Sequence, residues 1–157
     1  MHDQSFIAPS LASRNERLGA IQRRIDLLRP QLLWSVDALI PADPAFAMPS
    51  ASEAMVLDVH LPEALLLRDD MQEAFFAVIE RLPAAVPDNG LGALEALGPT
   101  DFDLFCRIVA GAFFLDRAVN TRLGYTAQQA ITETPDYDHL MDAIAPVMER
   151  GEIYTKI

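Results

Sequence analysis

The side chains able to do acid–base, nucleophilic or metal chemistry are few in this chain of 157 residues: three histidines, His2, His60 and His139, one cysteine, Cys106, and 23 acids. A carboxylate-bridged two-metal centre in a helical bundle needs a Glu from each of two helices and Glu-x-x-His from two others. The chain has no Glu-x-x-His, only Asp136-x-x-His139 and Asp58-Val59-His60. His139 beside Asp138 at a helix start reads as a local hydrogen-bonded pair. With a single cysteine there is no disulfide within the chain and no thiolate cluster for zinc or iron and sulfur. Cys106 next to Phe105 reads as a buried structural thiol. Nucleophile elbows of the form Gly-x-Ser-x-Gly are absent. Gly90-Leu91-Gly92 lacks the preceding strand and the third glycine of a dinucleotide turn, so it reads as a connection. Asp69-Asp70 and Asp101/Asp103 read as helix-start charges rather than as a general acid and base. No catalytic, cofactor-binding or metal-binding residue is assigned on these grounds.

The elements around these residues are helical. Leu18, Ile21, Ile25 and Leu28 recur at helical spacing behind Ser13 as N-cap, up to Pro30. Leu32, Leu33, Val36, Leu39 and Ile40 follow, with Pro30 at the first position and Pro41 as the stop. Three prolines, Pro41, Pro44 and Pro49, make a loop of residues 41–50. Ser50 and Glu53 have capping-box spacing and predict a helix running toward His60. Met71, Phe75, Val78, Ile79 and Leu82 mark the next helix, followed by a Pro/Gly connection with one helical turn around Leu91 to Leu97. Thr100 and Asp103 suggest the cap of a central helix with Phe102, Phe105, Cys106, Val109, Ala112 and Phe113 on one stripe. Asp116 caps a short continuation that Gly124 ends at positive φ. A last helix carries Leu140, Met141, Ile144, Val147 and Met148, bends or restarts near Pro146 and ends at Gly151. Sustained alternation of strand type is absent. The expectation is an all-α fold: a flexible arm at residues 1–12, then one compact multi-helix domain at 13–157 with long Pro/Gly loops.

With 51% hydrophobic residues the chain is long and apolar enough to bury a core. Its net charge of −11 is unevenly distributed: residues 1–50 hold five Arg against five acids, and residues 51–157 hold seven bases against eighteen acids. Such a chain offers no cationic face for counterion release, which argues against nucleic acid and anionic membrane partners. Arg14, Arg17, Arg23, Arg24 and Arg29 read as a solvated helix face. The longest apolar run, Ile108 to Leu115, is far short of the roughly twenty residues of a bilayer span, so a soluble protein is expected. Export-signal patterning is not seen at Met1-His2-Asp3-Gln4-Ser5, and the expected address is cytoplasmic.

The aromatics are the remaining signal. Phe75-Phe76 and Phe113-Phe114 place neighbouring rings about 100° apart on a helix, so one of each pair can face outward. Trp34 can serve either a partner contact or the domain's own core. Ile40-Pro41-Ala42-Asp43, then Ala51 and Glu53, then Leu123-Gly124-Tyr125 with Gln128, and finally Val147, Arg150, Gly151 and Tyr154 occur in an order that resembles the gluconate 2-dehydrogenase subunit 3 family over roughly residues 32–155. Thr126-Ala127 stands where that family usually has Pro-Gly. The resemblance implies a largely helical, non-catalytic small subunit. Such a subunit binds and stabilises a FAD-dependent sugar or alcohol dehydrogenase of the glucose-methanol-choline type, with FAD in the large flavoprotein subunit and no cofactor in this chain. Many relatives carry a twin-arginine signal; here the complex would be cytoplasmic, or periplasmic if the partner supplies the signal. Tyr125, Arg150 and Tyr154, with Trp34, are the partner-interface candidates. A self-contained helical enzyme and a homo-oligomeric helical scaffold or regulator are the alternatives.

Overall fold

The computed structural model describes residues 11–125 and 137–150, without the side chains of Leu11 and of residues 137–140. The chain divides into two compact units, Met1–Tyr125 and Thr126–Ile157. In the first unit the helices are α1 (Leu11–Leu27), α2 (Arg29–Leu39), α3 (Leu61–Leu67), α4 (Asp69–Glu80), α5 (Gly90–Glu95), α6 (Pro99–Phe113) and α7 (Arg117–Arg122). The second holds α8 (Tyr137–Arg150). No strand occurs among the described residues; extended pairing is limited to one isolated bridge, Asp43 to Met48. The fold is all-α, as the helical spacing of the apolar residues requires.

The core forms around α6, which packs against α3, α4, α5 and a π-helical turn at Val56–His60. Phe105 of α6 is fully buried and stacks on Phe75 of α4, with ring centroids 6.1 Å apart and planes 3° from parallel. Phe76 meets Phe75 edge-on at 5.9 Å and is also fully buried. The pair Phe75-Phe76 therefore faces wholly inward, because α4 is covered on two sides, whereas Phe113 is buried and Phe114 is half exposed. Trp34 is 7% exposed and donates its indole N–H to the Pro83 carbonyl at 3.0 Å. A side chain at Gly90 would come within 2.8 Å of the Ala38 Cβ, so glycine lets α5 close onto α2 beside that indole.

Several helix boundaries differ from those the sequence suggests. Ser13 lies inside α1 rather than capping it. At Ser50 the capping box forms, with Ser50 N–H donating to Glu53 at 2.8 Å and Glu53 N–H to the Ser50 hydroxyl at 3.3 Å. The helix it should start does not follow. Asp37 of α2 draws in both the Ser52 N–H and its hydroxyl, at 2.8 and 2.6 Å, and Met55 turns left-handed at φ 56°. The π-helical turn then leads into α3, with Leu61 N–H reaching the Val56 carbonyl. An α-helix here would need an N–H at position 62, which Pro62 lacks, and the wider turn is the chain's way past it. Similarly α6 starts at Pro99, after Gly98 at φ 90°, and not at Thr100. Asp103, one turn in, pairs with Arg107 at 2.8 Å. The turn expected around Leu91 to Leu97 is α5, capped by Asn89, which accepts the Gly92 N–H at 2.9 Å.

The charge asymmetry of the sequence resolves into contacts between its halves. Arg14 of α1 pairs with Glu63, Arg17 with Asp69 at 3.2 Å, Arg24 with Glu73 at 2.6 Å, and Arg29 with Asp58 at 2.6 Å. These arginines clasp α1 and α2 onto the acids of α3, α4 and the π-helical turn, while Ile21 and Ile25 supply the apolar contact. Arg24 also lies 3.9 Å over the Phe76 ring. Exposed pairs are worth about 0.2–1 kcal/mol each and a cation over an aromatic face about 0.5–1 kcal/mol. Arg24→Ala is thus expected to cost about 1 kcal/mol in urea unfolding, more than Arg17→Ala. In about 1 M sodium chloride, where the screening length is about 3 Å, the two variants should converge toward wild type only in their ion-pair part.

In the second unit, α8 carries Met141, Ile144, Val147 and Met148 at helical spacing, has Pro146 inside and Arg150 in its last turn. Residues 1–10, Thr126-Ala127, Gln128, Gly151 and Tyr154 lie outside the described residues, as do the side chains of Asp138 and His139.

Candidate functional site

One apolar surface of the first unit is a groove built by α3, α6 and α7. One depression of about 510 Å³ is lined by Gly111, Phe114, Leu115, Asn120, Leu123 and Tyr125. A second of about 270 Å³ is lined by Ala64, Leu67, Arg68, Arg107, Ile108, Gly111 and Leu115. The two share Gly111 and Leu115, so they run into one another. Leu67 is 72% exposed, Phe114 52%, Leu123 54% and Tyr125 60%. A Cβ at Gly111 would meet nothing within 4 Å, which makes this glycine the floor of the groove.

Local chemistry fixes the wall. Asp116 caps α7 by accepting the Val119 N–H at 2.8 Å, as its position before the helix suggests. The Asn120 amide donates to the Phe114 carbonyl at 2.8 Å, tying α7 back to the end of α6. At the other end the Tyr125 N–H reaches the Asn120 carbonyl at 2.9 Å and the Gly124 N–H reaches Thr121 at 3.1 Å. Gly124 sits at φ 71°. This is a Schellman cap, and it accounts for Leu123-Gly124-Tyr125: glycine takes the left-handed position, and the chain delivers Leu123 and Tyr125 to the groove rim.

His60 lies outside the groove lining, and its Nε2 is 3.3 Å from Asp116 Oδ2, the two side chains being 16% and 22% exposed. The Val119 N–H, more than the His60 ring, holds the Asp116 carboxyl below the usual range. Burial, followed by Asp103, pushes the half-buried Cys106 thiol up, away from a reactive thiolate. Among the described residues no group of three or more His, Cys, Asp or Glu is placed to hold a metal ion, and no helix is long and apolar enough to cross a membrane.

Of the residues singled out in the sequence, Tyr125 borders the groove and Trp34 belongs to the core, its ring enclosed between α2 and α5. Arg150 is exposed on α8. The motif Ile40-Pro41-Ala42-Asp43 does loop work: the Ile40 carbonyl accepts the Ala51 N–H at 3.0 Å, and Asp43 exchanges two 2.9 Å backbone bonds with Met48. Leu67, Gly111 and Leu115 carried no sequence signal of a surface, since each reads as part of a helix that packs somewhere. The His60–Asp116 link, 56 residues apart, had none either.

Compared with protein-family models, with curated proteins and with solved structures, the chain gives no match.

Proposed function

We propose that this chain is a binding subunit without an active site of its own, and that its partner is a flavin-dependent sugar or alcohol dehydrogenase of the glucose-methanol-choline type. The observation that carries the binding role is the groove: five large apolar side chains stand open around a glycine floor, on helices otherwise closed over a packed core. Exposed apolar patches of this kind, with an aromatic residue at the rim, mark sites that another surface covers. The kind of partner comes from the resemblance over residues 32–155, whose Leu123-Gly124-Tyr125 segment is the one that borders the groove. FAD and the catalytic base would belong to the large subunit, and this chain would hold that subunit in its stable form, in the cytoplasm.

Co-expression with a flavoprotein dehydrogenase of the glucose-methanol-choline type from the same source tests this reading. The two chains are expected to co-elute in gel filtration at fixed stoichiometry, with the flavin absorbance following the large one. Turnover of a substrate by the purified small chain alone, or elution of the two proteins apart, would overturn it.

A further inference from the structure

We infer that His60 is a positioning residue for the groove: its hydrogen bond to Asp116 latches α7 in place as the groove's outer wall. The consequence for partner binding rests on the reading above, but the latch itself does not.

Helix α7 has six residues, too few for a helix to persist by itself, and Val119 is its one buried residue. It nonetheless supplies Asn120 to the groove, and Leu123 and Tyr125 follow directly from its C-terminal cap. Most of its bonds are local. The Schellman pair, the Thr121 hydroxyl to the Arg117 carbonyl and the Asn120 amide to the Phe114 carbonyl all stay within residues 114–125. Among the described residues, the side-chain hydrogen bond that reaches α7 and its cap from elsewhere is that of His60. His60 closes the π-helical turn, which packs on α3 and α6, the two other helices of the groove.

The division of labour at Asp116 makes the latch specific. Oδ1 is taken by the Val119 N–H at 2.8 Å and Oδ2 faces His60 at 3.3 Å, so one carboxylate both starts the helix and ties it down. An ionised carboxylate only accepts, which requires the proton to be on Nε2 of His60. With both side chains largely sheltered, water competes weakly for this bond. Losing it frees the wall to hinge about residues 114–116, while the core on the far side of α6 stays closed.

Amide hydrogen exchange on the full chain decides the matter. In His60→Leu the amides of residues 120–125 are expected to exchange roughly tenfold faster, with those of α4 and the first half of α6 unchanged. His60→Gln, whose amide can donate from near the Nε2 position, should restore most of the protection. Wild-type exchange at 120–125 in His60→Leu would overturn the latch, as would an equal acceleration in α4, which would make His60 a general fold residue. With the flavoprotein present, His60→Leu should also lower its retention several-fold and His60→Gln recover it. If the flavoprotein binds neither variant nor wild type, the partner reading fails and the exchange result still stands or falls alone.

Discussion

Phe105→Ala is expected to lower the stability of the first unit by about 3–5 kcal/mol, the range for deleting a buried phenylalanine ring from a packed core. The ring is fully buried, stacked on Phe75, and lies on a helix packed against α3, α4, α5 and the π-helical turn. Removal leaves a cavity that Phe75 cannot fill without giving up its edge contact with Phe76. Against a typical total of about 5–15 kcal/mol such a loss is a large fraction, and the melting temperature should fall by roughly 10–20 °C. Phe114→Ala, nine residues on, removes a ring that is 52% exposed. It is expected to cost less than about 1 kcal/mol, chiefly the edge contact with Phe113 at 5.7 Å. Thermal unfolding of the two variants side by side checks the assignment of one ring to the core and the other to the groove. Comparable losses would mean that Phe114 is covered in the folded chain.

Those two phenylalanines also show where the sequence was legible. The stripe of Phe102, Phe105, Val109 and Phe113 has helical period, and α6 is the central helix it suggests. Asp116 and Gly124 are local signals, each acting within a turn of itself, and both do what their chemistry implies. Local signals failed where a distant group competed. The capping box at Ser50 forms its two bonds, yet Asp37 and Pro62 divert the chain into a π-helical turn. That Phe75 and Phe76 both face inward while Phe114 faces outward could not be chosen in advance, because which flank of a helix is covered depends on helices far away in sequence. The arginines of α1 read as solvated charges, whereas their partners lie on later helices, 49 residues away for Arg14 and for Arg24. The groove escaped notice for the same reason. It is made by what α3, α6 and α7 leave uncovered, and a glycine on a helix carries no mark of the side it faces.

Gly111 offers the sharpest separation of binding from folding, and Gly111→Gln is expected to abolish retention of the flavoprotein, by more than about tenfold, while leaving the chain as stable as wild type or more so. The first half of this expectation is steric and polar: the new side chain stands in the depression that Gly111 lines with Leu115 and Phe114, takes up space an apolar anchor would need, and puts an amide there that such an anchor would leave without a hydrogen-bond partner. The second half follows from the backbone. Gly111 lies inside α6, is exposed, and has open space where a Cβ would go, so replacing glycine by a better helix former is expected to gain about 0.5–1 kcal/mol. Most substitutions that weaken an interface can be suspected of weakening the fold; here the two effects have opposite sign. Gly111→Ala supplies the control, with the same backbone gain but a methyl group too small to fill the groove, so it should keep most of the binding. Denaturant unfolding of the three proteins gives the stability order, and gel filtration of each with the flavoprotein gives the retention. If Gly111→Gln binds as wild type does, the partner docks elsewhere on the chain; if Gly111→Ala fails together with Gly111→Gln, close approach of a partner backbone to the glycine, rather than an apolar side chain seated in the groove, is what the site accommodates.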